Sequence, residues 1–224
     1  MTLEKIKIAI DGPSGVGKSS VSKYIAKKFN LIYLETGIMY RAVAFYFLKN
    51  NLDYKSFLCI KKNIFRFNLE IKIVDNISKI FLDQEDISDS VKNSKTSQIA
   101  SIIAENSIIR ENLGNMQKKI ARENNFIIID GRDIASRIMP DANFKFYLDA
   151  TPKIRAKRRF EENLSDNKSL EFLEKEIRFR DMRDKNRNID PLKISKDSTI
   201  VNTDDINFVE VCKKICDIIK SSDK

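Results

Sequence analysis

Residues 12–19 read Gly-Pro-Ser-Gly-Val-Gly-Lys-Ser, which fills the pattern G-x4-G-K-[ST] at every constrained position. Few eight-residue stretches restrict a fold so tightly. Closely spaced glycines let backbone N–H groups converge into a nest around phosphate oxygens. A helix that starts at the end of the loop aims its positive pole at the same phosphates. The lysine reaches the outer phosphates, and the hydroxyl that follows it can ligand Mg²⁺. All of this requires a strand before the loop and a helix after it. The flanks supply both: Ile6, Ile8 and Ile10 alternate like a strand, and Val21, Tyr24, Ile25 and Phe29 recur at helical spacing.

The chain has 224 residues with 42% apolar and 33% charged types, enough for one sizeable core. Forty-one basic against 32 acidic residues leave a net charge of +9, which favours an anionic partner. Histidine is absent, excluding Ser-His-Asp and Cys-His catalysis and histidine-ligated zinc. The cysteines are three, Cys59, Cys212 and Cys216, an odd number that suits reduced thiols. Cys212 and Cys216 lie four apart and read as small buried hydrophobes on one helix face. No signal peptide or apolar stretch of membrane-spanning length is expected, so the protein is expected to be cytoplasmic.

Further along, 31–34 reads as a second strand, with Thr36 expected to cap a helix reaching Leu48. Segments 126–130 and 144–148 read as buried strands and 200–201 as a last one; Thr151-Pro152 opens a helix, and a C-terminal amphipathic helix starts near Phe208. Alternating strands and helices predict a P-loop α/β fold, a parallel sheet flanked by helices. Residues 68–74 and 79–83 break the rhythm and predict a small antiparallel insert joined by an Asp-Asn-Ile-Ser turn. One helix from Ser94 to about Glu123 is expected after it.

The chain lacks an Asn-Lys-x-Asp base-reading motif, and no Glu follows Asp130 as in ATP-hydrolysing motors. A phosphoryl transferase fits better, because such catalysis is positioning plus charge neutralisation. Asp130-Gly131-Arg132-Asp133 ends a buried strand, where ligands bind in such sheets. Thr36 and Arg41 can grip a phosphate, and Asp130 can orient Mg²⁺. Arg155, Arg158 and Arg159 sit at i, i+3 and i+4 and, with a loop at 165–168, read as a cationic lid. Arg180, Arg183, Asp184 and Arg187 line the next helix.

Five motifs in order then resemble the bacterial cytidylate kinase family, nucleoside monophosphate kinases of the P-loop class: 10–18, Thr-Gly-x-x-Tyr-Arg at 36–41, Glu-Asp-Ile-Ser at 85–88, Asp-Gly-Arg-Asp at 130–133 and Arg-Asp-x-Arg-Asp-x-Asn-Arg at 180–187. The resemblance runs nearly end to end. It implies one kinase domain with a monophosphate-binding insert over about 37–120, enlarged as in the bacterial type, and a helical lid over about 151–170. It implies that Gly12, Pro13, Ser14, Gly15, Val16, Gly17, Lys18, Ser19 and Ser20 bind ATP phosphates. Thr36, Arg41 and Arg132 would hold the acceptor phosphate, and Ser101, Arg110 and Asp133 would read cytosine. Asp184 and Arg187 would hold the sugar. Lys18, Arg132, Arg155, Arg158, Arg159 and Arg180 would serve the transferring phosphoryl, with Mg²⁺ at Ser19 and Asp130. Ser101 and Arg110, nine apart on the expected helix, can face one cleft. Four positions depart from the pattern: Glu35-Thr36 in place of Asp-Ser, Gln84 in place of Gly, and Lys92 in place of Arg.

The implied activity is transfer of the γ-phosphoryl of ATP to CMP or dCMP, by a monomer that engages neither nucleic acid nor membrane. Other readings stay open from the residues alone: a kinase for UMP, AMP or shikimate, a basic nucleic-acid-binding module, or a nucleotide-gated interaction protein.

Overall fold

The computed structural model describes residues 5–162 and 168–221. Its centre is a parallel sheet, β2 (Ile32–Glu35), β6 (Phe126–Gly131), β1 (Ile6–Asp11), β7 (Phe144–Asp149) and β8 (Thr199–Asn202), in that spatial order. β1 pairs on both sides, Ile10 with Asp130 and with Phe146, so the phosphate loop leaves the middle of the sheet. Alternation along β1 explains the layers. Ile8 and Ile10 pack with Val21 and Ile25 of α1 (Lys18–Phe29) and with Val211, Cys212, Ile215 and Cys216 of α8 (Phe208–Ser221). Ala9 points the other way, with Ile127, Ile129 and a π-helical turn, Ile134–Ile138. Both α8 cysteines are buried and free, and burial pushes the Cys212 thiol up to about 11.

The insert has its own core. α2 (Thr36–Lys49) packs on α4 (Ser94–Ile103), α3 (Phe57–Asn63) and a hairpin of β3 (Leu69–Val74) and β4 (Ile77–Leu82); β5 (Glu85–Asp86) extends the hairpin. One parallel pair, Tyr33 with Ile77, joins the hairpin to the main sheet. The hairpin turn is shorter than the sequence suggested. Of the four residues expected in it, only Asp75 and Asn76 have left-handed φ (51° and 61°), and Ile77 and Ser78 already belong to β4. Such a two-residue turn matches the strand twist.

Two further expectations are corrected. The helix expected from Ser94 to about Glu123 is broken at 104–106, and α5 (Ser107–Glu123) starts afresh, because the Asn106 side chain accepts from the N–H groups of Ile108 and Ile109. Thr36 does not cap α2. Glu35 holds the cap position, and the Thr36 hydroxyl donates to the Asp130 carbonyl at 2.8 Å. Helices α6 (Pro152–Glu162) and α7 (Leu170–Asn186) pack on each other over Ala156, Leu173 and Ile177. Apart from Lys168, the loop expected at 165–168 lies outside the described residues, as do residues 163–164 of the expected lid.

Candidate active site

The phosphate loop is shaped by close contacts at its base. Gly12, at φ 151°, passes so near β7 that a Cβ there would meet the Leu148 carbonyl oxygen at 2.2 Å. Gly15 and Gly17 take φ of 73° and 92°, the region that favours glycine. Val16 anchors the loop in the core. Two cations hold loop carbonyls from within. Lys18 Nζ donates to the Pro13 carbonyl at 2.7 Å, and Arg155 Nη1 to the Ser14 carbonyl at 2.8 Å. Ser14, Gly15, Gly17, Lys18, Ser19 and Ser20 form one wall of a cleft, faced by Gly37, Arg41, Asp130, Arg132, Arg158 and Arg180.

Charge in this cleft is unbalanced. Burial, with Arg132 and Arg180 nearby, holds the Lys18 amine well below its ordinary range. Burial also lowers the Arg180 guanidinium to about 10, with Arg132 adding to the effect. Its Nε and that of Arg41 are buried without hydrogen-bond partners among the described residues. A buried, unpaired donor costs free energy until an acceptor arrives, so these groups are poised for an anion. Ser19 Oγ donates to Asp130 Oδ2 at 2.9 Å, and Tyr33 donates to Oδ1 at 3.3 Å. Burial and the Glu35 charge push the Asp130 carboxyl up to about 6. One hydroxyl and one carboxylate beside a phosphate loop is a fitting donor set for Mg²⁺, which takes its remaining ligands from phosphates and water.

A second pocket adjoins the first. Both share Gly37, Gly131, Arg132 and Arg180; the second adds Thr36, Tyr40, Ser101, Arg110, Asp133, Asp184 and Arg187. Ser101 and Arg110 reach it from either side of the break between α4 and α5, so one continuous helix was not what brought them together. Asp133 lies between guanidinium groups: Arg110 Nη2 donates to Oδ2 at 2.5 Å and Arg187 Nη2 to Oδ1 at 3.3 Å. Arg132 Nε donates to Asp184 at 2.8 Å. Burial opposes the Asp184 charge, yet Arg132 and Arg180 hold its carboxyl below the usual range. Arg187 is the C-cap of α7.

Four arginines differ from the sequence expectation in their surroundings. Arg155 does not line the cleft. Its side chain is 2% exposed and is held by Asp181 through two bonds (3.1 and 2.5 Å), by the Ala150 carbonyl and by Ser14. It therefore braces the loop from behind, in place of the position over the phosphates that the sequence led one to expect. Arg158 does line the cleft but is tethered to the hydroxyl and carbonyl of Thr203. Arg159 faces an adjoining basin that shares Ser19, Glu35 and Arg41 with the cleft and adds Lys23 and Lys92. Arg41 pairs with Glu35, the very position that departs from the family pattern.

Sequence reasoning missed Asp181, Thr203, Arg137 and Asp190 as partners. Asp181 lies inside the 180–187 motif and was legible as an acid between arginines. Nothing local marked the others.

Comparison with known proteins gives one family. A family model described as cytidylate kinase matches residues 8–221. A cytidylate kinase of Caldicellulosiruptor bescii is 35% identical over 218 residues, 96% of each chain. One of Thermodesulfovibrio yellowstonii is 41% identical over 207 residues, 91% of this chain and 93% of that one. A solved structure of an uncharacterized protein from Eubacterium ventriosum shares the fold alone, with a TM-score of 0.54 and 15% identity over 97% of this chain and 99% of that one.

Proposed function

The chain belongs to the cytidylate kinase family, and on that premise we propose that it transfers the γ-phosphoryl of ATP to CMP or dCMP, giving ADP and CDP or dCDP. As a member of that family it is an ATP-dependent phosphotransferase. The observation that carries the finer reading is the shared wall. A donor cleft on the phosphate loop and an acceptor pocket floored by Asp133 meet at Arg132 and Arg180.

In this reading residues 12–20 hold the ATP phosphates, with Lys18 at the outer ones. Arg41, Arg132 and the Thr36 segment hold the acceptor phosphate, and Arg180 bridges donor and acceptor. Asp133 accepts from the cytosine 4-amino group, whereas uracil would present a carbonyl oxygen there and be repelled. Asp184 and Arg187 face the sugar, and Ser101 and Arg110 complete the base site. The attacking acceptor oxygen is already anionic, so no strong base is required, which suits a chain without histidine. Lys18, Arg132 and Arg180 stabilise the charge that develops in the transition state. Ser19 and Asp130 would hold Mg²⁺, which supplies charge neutralisation between the phosphates when bound. Residues 37–120 act as the acceptor-binding part and 151–170 as the lid of one kinase domain. In this reading the protein works as a cytoplasmic monomer. Among the described residues no helix is long and apolar enough to cross a membrane.

The test is ADP release with Mg-ATP and CMP, dCMP, UMP, AMP, GMP or shikimate, against a control without acceptor. Turnover confined to CMP and dCMP is expected. Preference for another acceptor would refute the base assignment but leave the phosphate loop standing.

A further inference from the structure

We infer that Asp190 is a positioning residue for base discrimination, acting through Arg110 and Arg187 on Asp133. This rests on the reading of Asp133 as the group that accepts from the base. Asp190 does not line the acceptor pocket. It lies behind it, in the segment after α7, where its φ is 47°, in the left-handed region that Asp enters more readily than most residues. That backbone turn presents two acceptors inward at once. The carboxylate takes Arg110 Nε at 3.1 Å and pairs with Arg137 Nη1 at 3.0 Å. The carbonyl takes both Nε (2.7 Å) and Nη2 of Arg187. The far ends of Arg110 and Arg187 are the groups that donate to the two Asp133 oxygens. The segment is itself fixed to α7 by the Leu192 N–H donating to the Asp184 carbonyl at 2.8 Å.

The physical consequence is directional. Each Asp133 oxygen already accepts from one guanidinium, so the lone pairs left for a ligand point where those two arginines allow. Without Asp190, Arg110 would keep Nη2 on Asp133 and only a long Nη1 bond, 3.4 Å, to the Ala104 carbonyl, and its Nε edge would be free to swing. A second bond at Nε fixes the plane of the guanidinium. Arg187 is fixed in the same way by the Asp190 carbonyl. One residue thus sets the angle of both arginines, and they set the angle of the carboxylate.

The test compares Asp190→Gly, which keeps the backbone conformation and removes the carboxylate, with Asp190→Asn, which tolerates the same φ and keeps an acceptor for Arg110. Steady-state kcat and KM are measured for CMP and UMP, with thermal midpoints as a check on folding. Asp190→Gly is expected to raise KM for CMP about tenfold and lower the CMP-over-UMP preference by a similar factor, as for one lost charge-assisted bond, with kcat within about twofold. Asp190→Asn should regain most of both. In an Asp133→Ala background, adding Asp190→Gly should leave the preference where Asp133→Ala put it. An Asp190→Gly enzyme with the wild-type KM and preference overturns the inference even if its midpoint falls, since Asp190 is then only a structural counter-charge for Arg110. Effects that multiply with Asp133→Ala overturn it as well, while leaving the base reading intact. An Asp133→Ala enzyme with unchanged preference refutes the base reading itself, and this inference with it.

Discussion

Replacing Asp181 by alanine should unfold the protein far more readily without touching any group that lines the cleft. Asp181 neutralises Arg155, whose side chain is 2% exposed, through paired bonds of 3.1 and 2.5 Å. Removing one partner of such a pair leaves an uncompensated buried charge, at a cost of about 3–5 kcal/mol. For a chain of this size each kcal/mol moves Tm by about 2–4 °C, so the midpoint should fall by about 6–20 °C. The compensated variant Arg155→Met with Asp181→Leu removes both charges and should recover at least half of that loss, because a well-packed apolar pair is often as stable as the ion pair it replaces. It should not recover fully, since the Ala150 and Ser14 carbonyls lose their Arg155 donor, at about 1 kcal/mol each. Released at Ser14, the phosphate loop should bind ATP more weakly, and KM for ATP should rise about fivefold, as for one lost bond of that strength. Urea and thermal unfolding, followed by ATP kinetics on the double variant, read both effects. The reasoning is refuted if Asp181→Ala costs less than about 1 kcal/mol. It is equally refuted if Arg155→Met keeps its stability while losing turnover, for Arg155 would then act on the phosphoryl as the sequence first suggested.

Three other outcomes are expected. Lys18→Ala should lower kcat by roughly 10²–10³-fold, the scale of one lost transition-state donor, with little change in Tm; near-normal turnover would sink the phosphate-loop assignment. Gly12→Ala forces a Cβ to within 2.2 Å of the Leu148 carbonyl oxygen, and should cost about 3 kcal/mol or more in urea unfolding because backbone must move. Burial pushes the Asp11 carboxyl up to about 6, above its ordinary 3.8, despite accepting from the Ile134 and Ala135 N–H groups. The native state therefore binds this proton more tightly than the unfolded chain, and stability from this group falls as pH rises through 4 to 6. Between pH 4.5 and 6.5 the stability gap between wild type and Asp11→Asn should shrink by about 2 kcal/mol; a constant gap would refute the shift.

The phosphate loop, the strands of the central sheet and the hairpin were legible in the chain because each is specified locally. Gly12, Gly15 and Gly17 meet backbone demands within a few residues of themselves, and Ile6, Ile8 and Ile10 declare their faces by a period of two. The family itself was legible too, from five short motifs in order. The break at 104–106 was missed because an apolar helical rhythm continues across it, and Asn106 reveals its capping role only when the chain turns.

What tertiary structure alone decided is which charged groups meet. Lys18, at the start of α1, and Asp130 and Arg132, at the end of β6, lie more than a hundred residues apart and are brought together by the parallel pairing of β1 with β6. An arginine in an amphipathic pattern looks the same whether it faces a phosphate or a carboxylate. Arg155 and Arg158 are three residues apart on one helix, yet one is spent on Asp181 behind the loop and the other lines the cleft. Likewise Asp190 gains its contacts to Arg110, Arg137 and Arg187 only after the chain has folded back over α5. Backbone geometry is encoded by near neighbours, but the environment of a charge is set by groups distant in sequence. The chain therefore carries the fold and the chemistry of its loop in plain view, and the folded molecule assigns its arginines.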